Sequence, residues 1–145
     1  LLDMGCRCDG YCSDLTRTYA FGNIPGTWFE EAYALVLTAQ QLAVESVRPG
    51  ITAHELDAVA RDMIRDAGHG DHFGHGLGHG VGIEVHESPR VAPESNVILR
   101  EGMVITIEPG VYIPGRGGIR IEDLVVVTND GCEVLTRTSK ELEVI

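Results

Sequence analysis

The sequence predicts an α+β domain in which an antiparallel sheet carries helices on one face. Two capping-box signatures, T-W-F-E at Thr27 and T-A-H-E at Thr52, each open an apolar pattern at helical spacing. Hairpin signals flank this helical pair, with Asp9-Gly10 before it and Pro109-Gly110 and Asp130-Gly131 after it. With 145 residues, 43% of them hydrophobic, and 18 glycines, the chain is long enough for one domain with a real core and many turns.

Residues 1–21 read as a hairpin, LLDMGC and YCSDLTRTYAF around a turn through Arg7-Cys8-Asp9-Gly10. Leu1–Gly5 reads as a buried strand that begins without a methionine, so the chain is expected to be a piece of a longer protein. A turn centred between Cys8 and Asp9 would set Asp3 directly opposite Asp14. Like charges facing each other across a ladder destabilise it. The pair is tolerable if one carboxyl keeps its proton or a cation lies between them.

Residues 27–47 are predicted to be a helix capped by Thr27, with Ala32, Leu35, Ala39, Leu42 and Val47 as its apolar stripe. Arg48-Pro49-Gly50 ends it. A second helix runs from Thr52 to about Ala67, with Gly68 as its stop and Leu56, Val59, Ala60, Met63 and Ile64 facing inward. His54 is expected at the surface. Neither helix carries evident chemistry.

The segment GHGLGHGVGIEVH, residues 74–86, holds His75, His79 and His86, with glycine at every second position from Gly74 to Gly82. In an extended segment His75, Leu77, His79 and Val81 would share one face. The opposite face would be bare backbone, which suits close approach of a ligand or another backbone. A flexible Gly/His loop with adventitious metal binding is the competing interpretation. Glu87-Ser88-Pro89 is expected to break the strand, with a loop over residues 90–100. GMVITIEPGVYI then reads as a strand interrupted at Pro109-Gly110, IPGRGG as a turn, IRIEDLVVVT as one strong strand and CEVLT as a short one. Glu108 and Glu122 are equidistant from Gly115, so a hairpin there sets two further carboxylates face to face.

A net charge of -11 with no basic stripe argues against nucleic acid as a partner. No apolar run reaches the ~18 residues of a membrane span and no signal peptide is visible, so no membrane partner and a cytoplasmic location are expected. Cys6, Cys8, Cys12 and Cys132 follow no zinc or disulfide spacing and are expected to be reduced, partly buried thiols. The usual nucleophile and phosphate-loop motifs are missing. Four strand carboxylates with one or two imidazoles instead match a paired divalent-cation site, in which two cations polarise a shared water. Oxygen-rich ligation favours Mn, Co or Fe over thiolate-bound zinc.

Four ordered blocks, LLDMG, GYCSDLTRT, GHGLGHGVGIEVHESP and EGMVITIEPGVY…GGIRIEDLVVVT, resemble the pita-bread (creatinase/aminopeptidase-like) metallopeptidases, and within them the Xaa-Pro dipeptidases (prolidases) and Xaa-Pro aminopeptidases. The resemblance implies a pita-bread fold incomplete at its N-terminus, residues 1–145 being the C-terminal part of a single catalytic domain. It implies two divalent metal ions, Mn2+ or Co2+ ahead of Zn2+ or Fe2+, on Asp3, Asp14, His79, Glu108 and Glu122. Asp14 and Glu122 would bridge, Asp3 would serve one ion, and His79 and Glu108 the other. This ligand set is intact, unlike that of a creatinase.

The same resemblance gives His75 and His86 the task of holding substrate and stabilising charge on the scissile carbonyl. Glu108 would shuttle a proton to the leaving proline nitrogen, with Tyr112 and Arg120 supporting the ligands. The implied activity is hydrolysis of Xaa-Pro bonds in proline-containing peptides by a protein that is a homodimer at full length. Methionine aminopeptidase, which shares the ligands, and a non-catalytic binding module on the same fold are the alternatives.

Overall fold

The computed structural model describes residues 1–145 and contains eleven short strands and two α-helices. The first four strands, β1 (Leu2–Met4), β2 (Arg7–Cys8), β3 (Tyr11–Cys12) and β4 (Leu15–Arg17), form the N-terminal hairpin. Helices α1 (Thr27–Ser46) and α2 (Ala53–Ile64) follow. The remaining strands are β5 (Gly78–Gly80), β6 (Glu87–Val91), β7 (Val104–Ile107), β8 (Gly110–Ile113), β9 (Gly117–Arg120), β10 (Asp123–Val127) and β11 (Cys132–Val134).

The helix α2 starts as its sequence dictates. Thr52 Oγ1 accepts from the Glu55 amide, and the Glu55 carboxylate accepts from the Thr52 amide. Its helical run passes through a wide π-type turn, Arg65–His69, in which Gly68 turns left-handed (φ 87°) where the sequence placed the stop. Leu56, Ala60 and Ile64 are buried as expected, while Val59 and Met63 are only partly so.

The start of α1 differs from expectation. Gly26 is its N-cap, no side chain caps it, and Thr27 is already helical, so the predicted box does not form. Its stripe is also offset, to Phe29, Ala32, Tyr33, Val36, Ala39, Gln40 and Ala43, leaving Leu42 40% exposed. Burial of the Phe29 and Tyr33 rings outweighs that of one leucine and sets the rotation of the helix.

Five strands form one antiparallel sheet in the order β11-β10-β7-β5-β6. Alternation then separates its two faces. Ile105, Ile107, Val125 and Val127 join the core cluster with Val36 and Ala39 of α1 and Leu56 and Ala60 of α2. Thr106, Glu108 and Glu122 fall on the opposite parity, away from the helices. The hairpin β8-β9 pairs Gly110 with Arg120, and β7-β10 pairs Ile107 with Asp123, so the two ladders keep one register across Glu108 and Glu122. The strand predicted to run unbroken through IRIEDLVVVT is split at Ile121–Glu122. Pro109 has no N–H to continue the ladder opposite.

The N-terminal hairpin has a different register from the one expected. Asp9 and Gly10 both have positive φ (49° and 90°), so the two-residue turn sits on Asp-Gly itself. Asp3 therefore faces Thr16, and Asp14 is its diagonal neighbour on the same face. The buried first strand is not found either. Leu1, Leu2 and Met4 are exposed because β1 pairs only with β4.

The histidine segment is extended only over Gly78–Gly80, and its pairing with β6 slips between His79 and Gly80. The four expected residues consequently do not share a face. Leu77 lies in the core cluster, whereas His75 and His79 line a cavity. The glycine face serves neighbouring backbone. A Cβ on Gly78 would lie 2.0 Å from the Thr106 carbonyl oxygen, and one on Gly80 2.3 Å from that of Ser88. Glu87-Ser88-Pro89 does not end the strand but forms most of β6, an edge strand in which proline is tolerated.

Gly78→Ala should therefore destabilise the protein by about 3 kcal/mol, measured by urea unfolding. Gly74→Ala, with nothing within 4 Å of the new Cβ, should change stability by less than ~1 kcal/mol. Equal effects would contradict the close-approach explanation.

Candidate metal centre

The break between ladders leaves Glu108 and Glu122 without each other's backbone. The Glu108 amide donates instead to the Leu77 carbonyl (2.8 Å) and the Glu122 amide to that of Thr16 (3.2 Å). These two bonds draw the histidine segment and β4 to opposite sides of the carboxylate pair. The result is three overlapping clusters, each with ligand atoms within 4.8 Å of one another: Asp3–Asp14–Glu122, His79–Glu108–Glu122 and Asp14–His79–His86. Asp14, His79 and Glu122 each belong to two of them.

The side chains are oriented by bonds the backbone supplies. His79 Nδ1 donates to the Gly80 carbonyl (3.0 Å), which turns Nε2 toward Glu108 Oε1 at 3.1 Å and Asp14 Oδ2 at 3.7 Å. Fixing one ring nitrogen in this way leaves the other available as a ligand. Thr106 Oγ1 accepts from the His79 amide and donates to Glu108 Oε1 (2.9 Å). Thr16 Oγ1 donates to Glu122 Oε2 (2.7 Å) and accepts from Arg120 Nε (3.1 Å). Arg120 also donates to Asp3 and to the Tyr112 hydroxyl. His75 Nδ1 donates to the Gly76 carbonyl, so its Nε2 accepts from that hydroxyl at 3.0 Å. The exposed His86 lies ring to ring against His79 at 4.3 Å.

The electrostatics of this cluster are unfavourable without a cation. Burial pushes the Glu122 carboxyl up to about 8, and the nearby charges of Glu108, Asp14 and Asp3 add to the effect. Asp14 is raised too, chiefly by burial. Burial would also raise Glu108, but its bonds to His79 and Thr106 and the imidazole charge prevail and hold it low. His79 is raised, because Glu108, the Gly80 carbonyl and Asp14 outweigh its burial. Glu122 Oε1 is buried with no hydrogen-bond partner. A buried carboxylate oxygen without a partner, on a residue clustered with other carboxylates, suits a divalent cation, as does an oxygen-rich donor set with an imidazole. These residues fit a metal pair.

A cavity of about 780 Å³ opens over the cluster, and none of its lining residues is hydrophobic. It includes Asp3, His75, His79, His86, Glu108 and Arg120, and also Arg90, which sequence reasoning passed over. That guanidinium extends from β6 where Arg90 pairs with His79, and its Nε lies 3.6 Å from Glu94.

Also missed were Asp57 and Arg61 of α2. Asp57 accepts from Arg61 and from the Leu77 amide, while Arg61 donates to the Phe73 and His75 carbonyls. Together they hold the segment that presents His75. An aspartate inside the buried stripe, four residues before an arginine, was the available signal. His54 is exposed, as expected, and bonds the Pro93 carbonyl. All four cysteines are free, but Cys6 and Cys8 are exposed rather than partly buried. No helix is long and apolar enough to cross a membrane.

Comparison with known proteins extends this picture. Residues 1–129 match metallopeptidase family M24. The Xaa-Pro dipeptidase of Pyrococcus horikoshii is 54% identical over 98% of this chain, which covers 40% of that protein. The crystal structure of the prolidase from the same organism superposes with a TM-score of 0.94, over 97% of this chain and 40% of that one. The X-Pro aminopeptidase from Thermotoga maritima also gives 0.94, at 43% identity, over 99% of this chain and 40% of its own. The chain thus spans about two-fifths of the length of these relatives.

The raised carboxyls fix the sign of a pH effect in the metal-free protein. Between the ordinary Glu value of 4.5 and about 8, folded Glu122 keeps a proton that the unfolded chain has lost, so its contribution falls as pH rises. Raised Asp14 acts with the same sign as pH climbs through its own range. The stability from raised His79 is present below its unfolded value of 6.5 and is lost as pH rises through its folded value. Lowered Glu108 opposes these only below 4.5. Chemical unfolding of metal-free protein should show stability declining from pH 5 to pH 8, and Glu122→Gln should remove on the order of a few kcal/mol of that decline. An unchanged slope would contradict the assignment.

Proposed function

Because the chain belongs to metallopeptidase family M24 and carries part of its pita-bread fold, we propose that the intact protein hydrolyses Xaa-Pro peptide bonds, in dipeptides or at peptide N-termini. The observation that carries this reading is the convergence of two acidic clusters on Glu122, one of whose carboxylate oxygens is buried without a hydrogen-bond partner. Residues 1–145 are then the C-terminal part of a single catalytic domain. The names of the relatives, Xaa-Pro dipeptidase and X-Pro aminopeptidase, support the proline-specific branch over the methionine one.

In this proposal Asp3, Asp14, His79, Glu108 and Glu122 would hold two divalent ions, Mn2+ or Co2+. When bound, the pair supplies Lewis acidity that makes a water nucleophilic near neutral pH and polarises the scissile carbonyl. Glu108, kept ionised by His79 and Thr106, takes the water proton and passes it to the proline nitrogen as the bond breaks. His75 and His86, on the cavity wall, hold the substrate, and charge on its carbonyl oxygen falls to His86, because the Gly76 carbonyl and the Tyr112 hydroxyl engage both ring nitrogens of His75. Tyr112, itself held by Arg120, fixes the His75 tautomer, and Arg120 steadies Asp3. Free thiols accord with a cytoplasmic enzyme, and the family resemblance with a homodimer.

Full-length protein loaded with Mn2+ or Co2+ should release proline from an Xaa-Pro dipeptide or cleave a longer Xaa-Pro peptide, and should favour these over Met-Ala. Asp14→Ala and Glu122→Ala should each weaken two-ion binding in calorimetry and lower kcat/KM by at least about 100-fold. Metal-loaded protein that turns over neither proline substrate would refute the activity. Failure to bind the ions at all would favour a non-catalytic module.

A further inference from the structure

Behind the carboxylates, on the helix side of the sheet, lies a second polar cluster that the proposed chemistry does not use. Arg17 of β4 is buried, yet all five of its N–H groups have an acceptor. Nε donates to the Ser139 carbonyl (2.8 Å), and Nη2 donates to Asp123 Oδ1 (2.8 Å) and the Thr138 carbonyl (2.9 Å). Nη1 donates to the carbonyls of Thr16 and Glu122. The other oxygen of Asp123 accepts from Gln40 of α1 (2.9 Å) and from Lys140 (2.6 Å), and Lys140 also donates to Gln40 Oε1. Lys140 is the only lysine in the sequence.

The placement of Nη1 gives this cluster its significance. Thr16 and Glu122 are already joined twice, by the Glu122 amide to the Thr16 carbonyl and by Thr16 Oγ1 to Glu122 Oε2. Arg17 ties their two carbonyls to a single nitrogen and closes the figure. It does so at the gap between β9 and β10, where the sheet offers Glu122 no ladder partner. A buried carbonyl left unpaired there would cost stability and let the residue shift.

The geometry points to a buried clamp, formed by Arg17, Asp123, Gln40 and Lys140, that ties residues 138–140 to the Glu122 backbone and so positions its carboxylate for metal. These are positioning residues, and none reaches the cavity lining. The inference rests on Glu122 being a metal ligand. It adds that the C-terminal segment, remote from every proposed ligand in sequence, helps set metal affinity. A lysine at position 17 would keep the charge but lose the planar fork, and its three donors could replace at most three of the five hydrogen bonds.

The test is Mn2+ calorimetry on full-length protein, wild type beside Arg17→Lys, Lys140→Met and the core control Val36→Ala. Val36 is fully buried in α1 and its side chain has no polar atom with which to join the cluster. Arg17→Lys should weaken Mn2+ binding about tenfold or more, and Lys140→Met several-fold, while Val36→Ala lowers the melting temperature without changing affinity. Lys140 is partly exposed, so its variant carries the test if Arg17→Lys does not fold. Wild-type affinity in the clamp variants would overturn the inference, as would an equal loss in Val36→Ala, which would reduce the clamp to general stability. Wild-type protein that binds no Mn2+ would instead overturn the metal-centre proposal on which the clamp depends.

Discussion

Mutual repulsion among clustered carboxylates, of which Glu122 is fully buried, is the constraint around which the structure is arranged. Asp3, Asp14, Glu108 and Glu122 come from two hairpins far apart in sequence and meet with one imidazole between them. Taking several like charges out of water is among the costliest things a fold can do. The chain meets part of that cost internally, through burial that favours the protonated form of Glu122 and through the contacts of His79 with Glu108 and of Arg120 with Asp3. The lone oxygen of Glu122 remains without a partner. A pair of divalent cations would relieve all of these stresses together.

The backbone makes the convergence possible by interrupting its own sheet. Two ladders in one register, β7-β10 and β8-β9, stop on either side of Glu108 and Glu122. The freed amides bond the histidine segment and β4. Glycines at 78 and 80 then let neighbouring strands close to distances that any side chain would forbid. Function here depends on what the sheet omits as much as on what it pairs. The Asp57–Arg61 pair behind His75 and the Arg17 cluster behind Glu122 fill two of the places where regular pairing ends.

Much of this was legible in the sequence. Equidistance of Glu108 and Glu122 from Gly115 gave the true register, because a proline-glycine break and a glycine-rich turn left the hairpin little choice. The Thr52 box was likewise readable from four adjacent residues. The N-terminal register was not read correctly, because the centre of the turn was set one residue early. Asp-Gly itself occupies the two left-handed positions, and Asp3 meets Asp14 on a diagonal instead of face to face. The rotation of α1 differs from the expected one because the stripe of Ala32, Leu35, Ala39, Leu42 and Val47 left out the Phe29 and Tyr33 rings. Thr16 and Arg17 leave no local pattern, since each acts across more than a hundred residues, whereas Asp57 and Arg61, four apart on α2, and Thr106, two residues before Glu108, were locally legible and went unidentified.

The central claim is that the acidic cluster exists to hold a metal pair. Anomalous scattering from crystals of the full-length protein grown with Mn2+ tests it most directly. Two peaks roughly 3.5–4 Å apart, enclosed by Asp3, Asp14, His79, Glu108 and Glu122 with Glu122 touching both, are the expected result. An absence of peaks among these side chains, or a lone ion bound elsewhere, would contradict it.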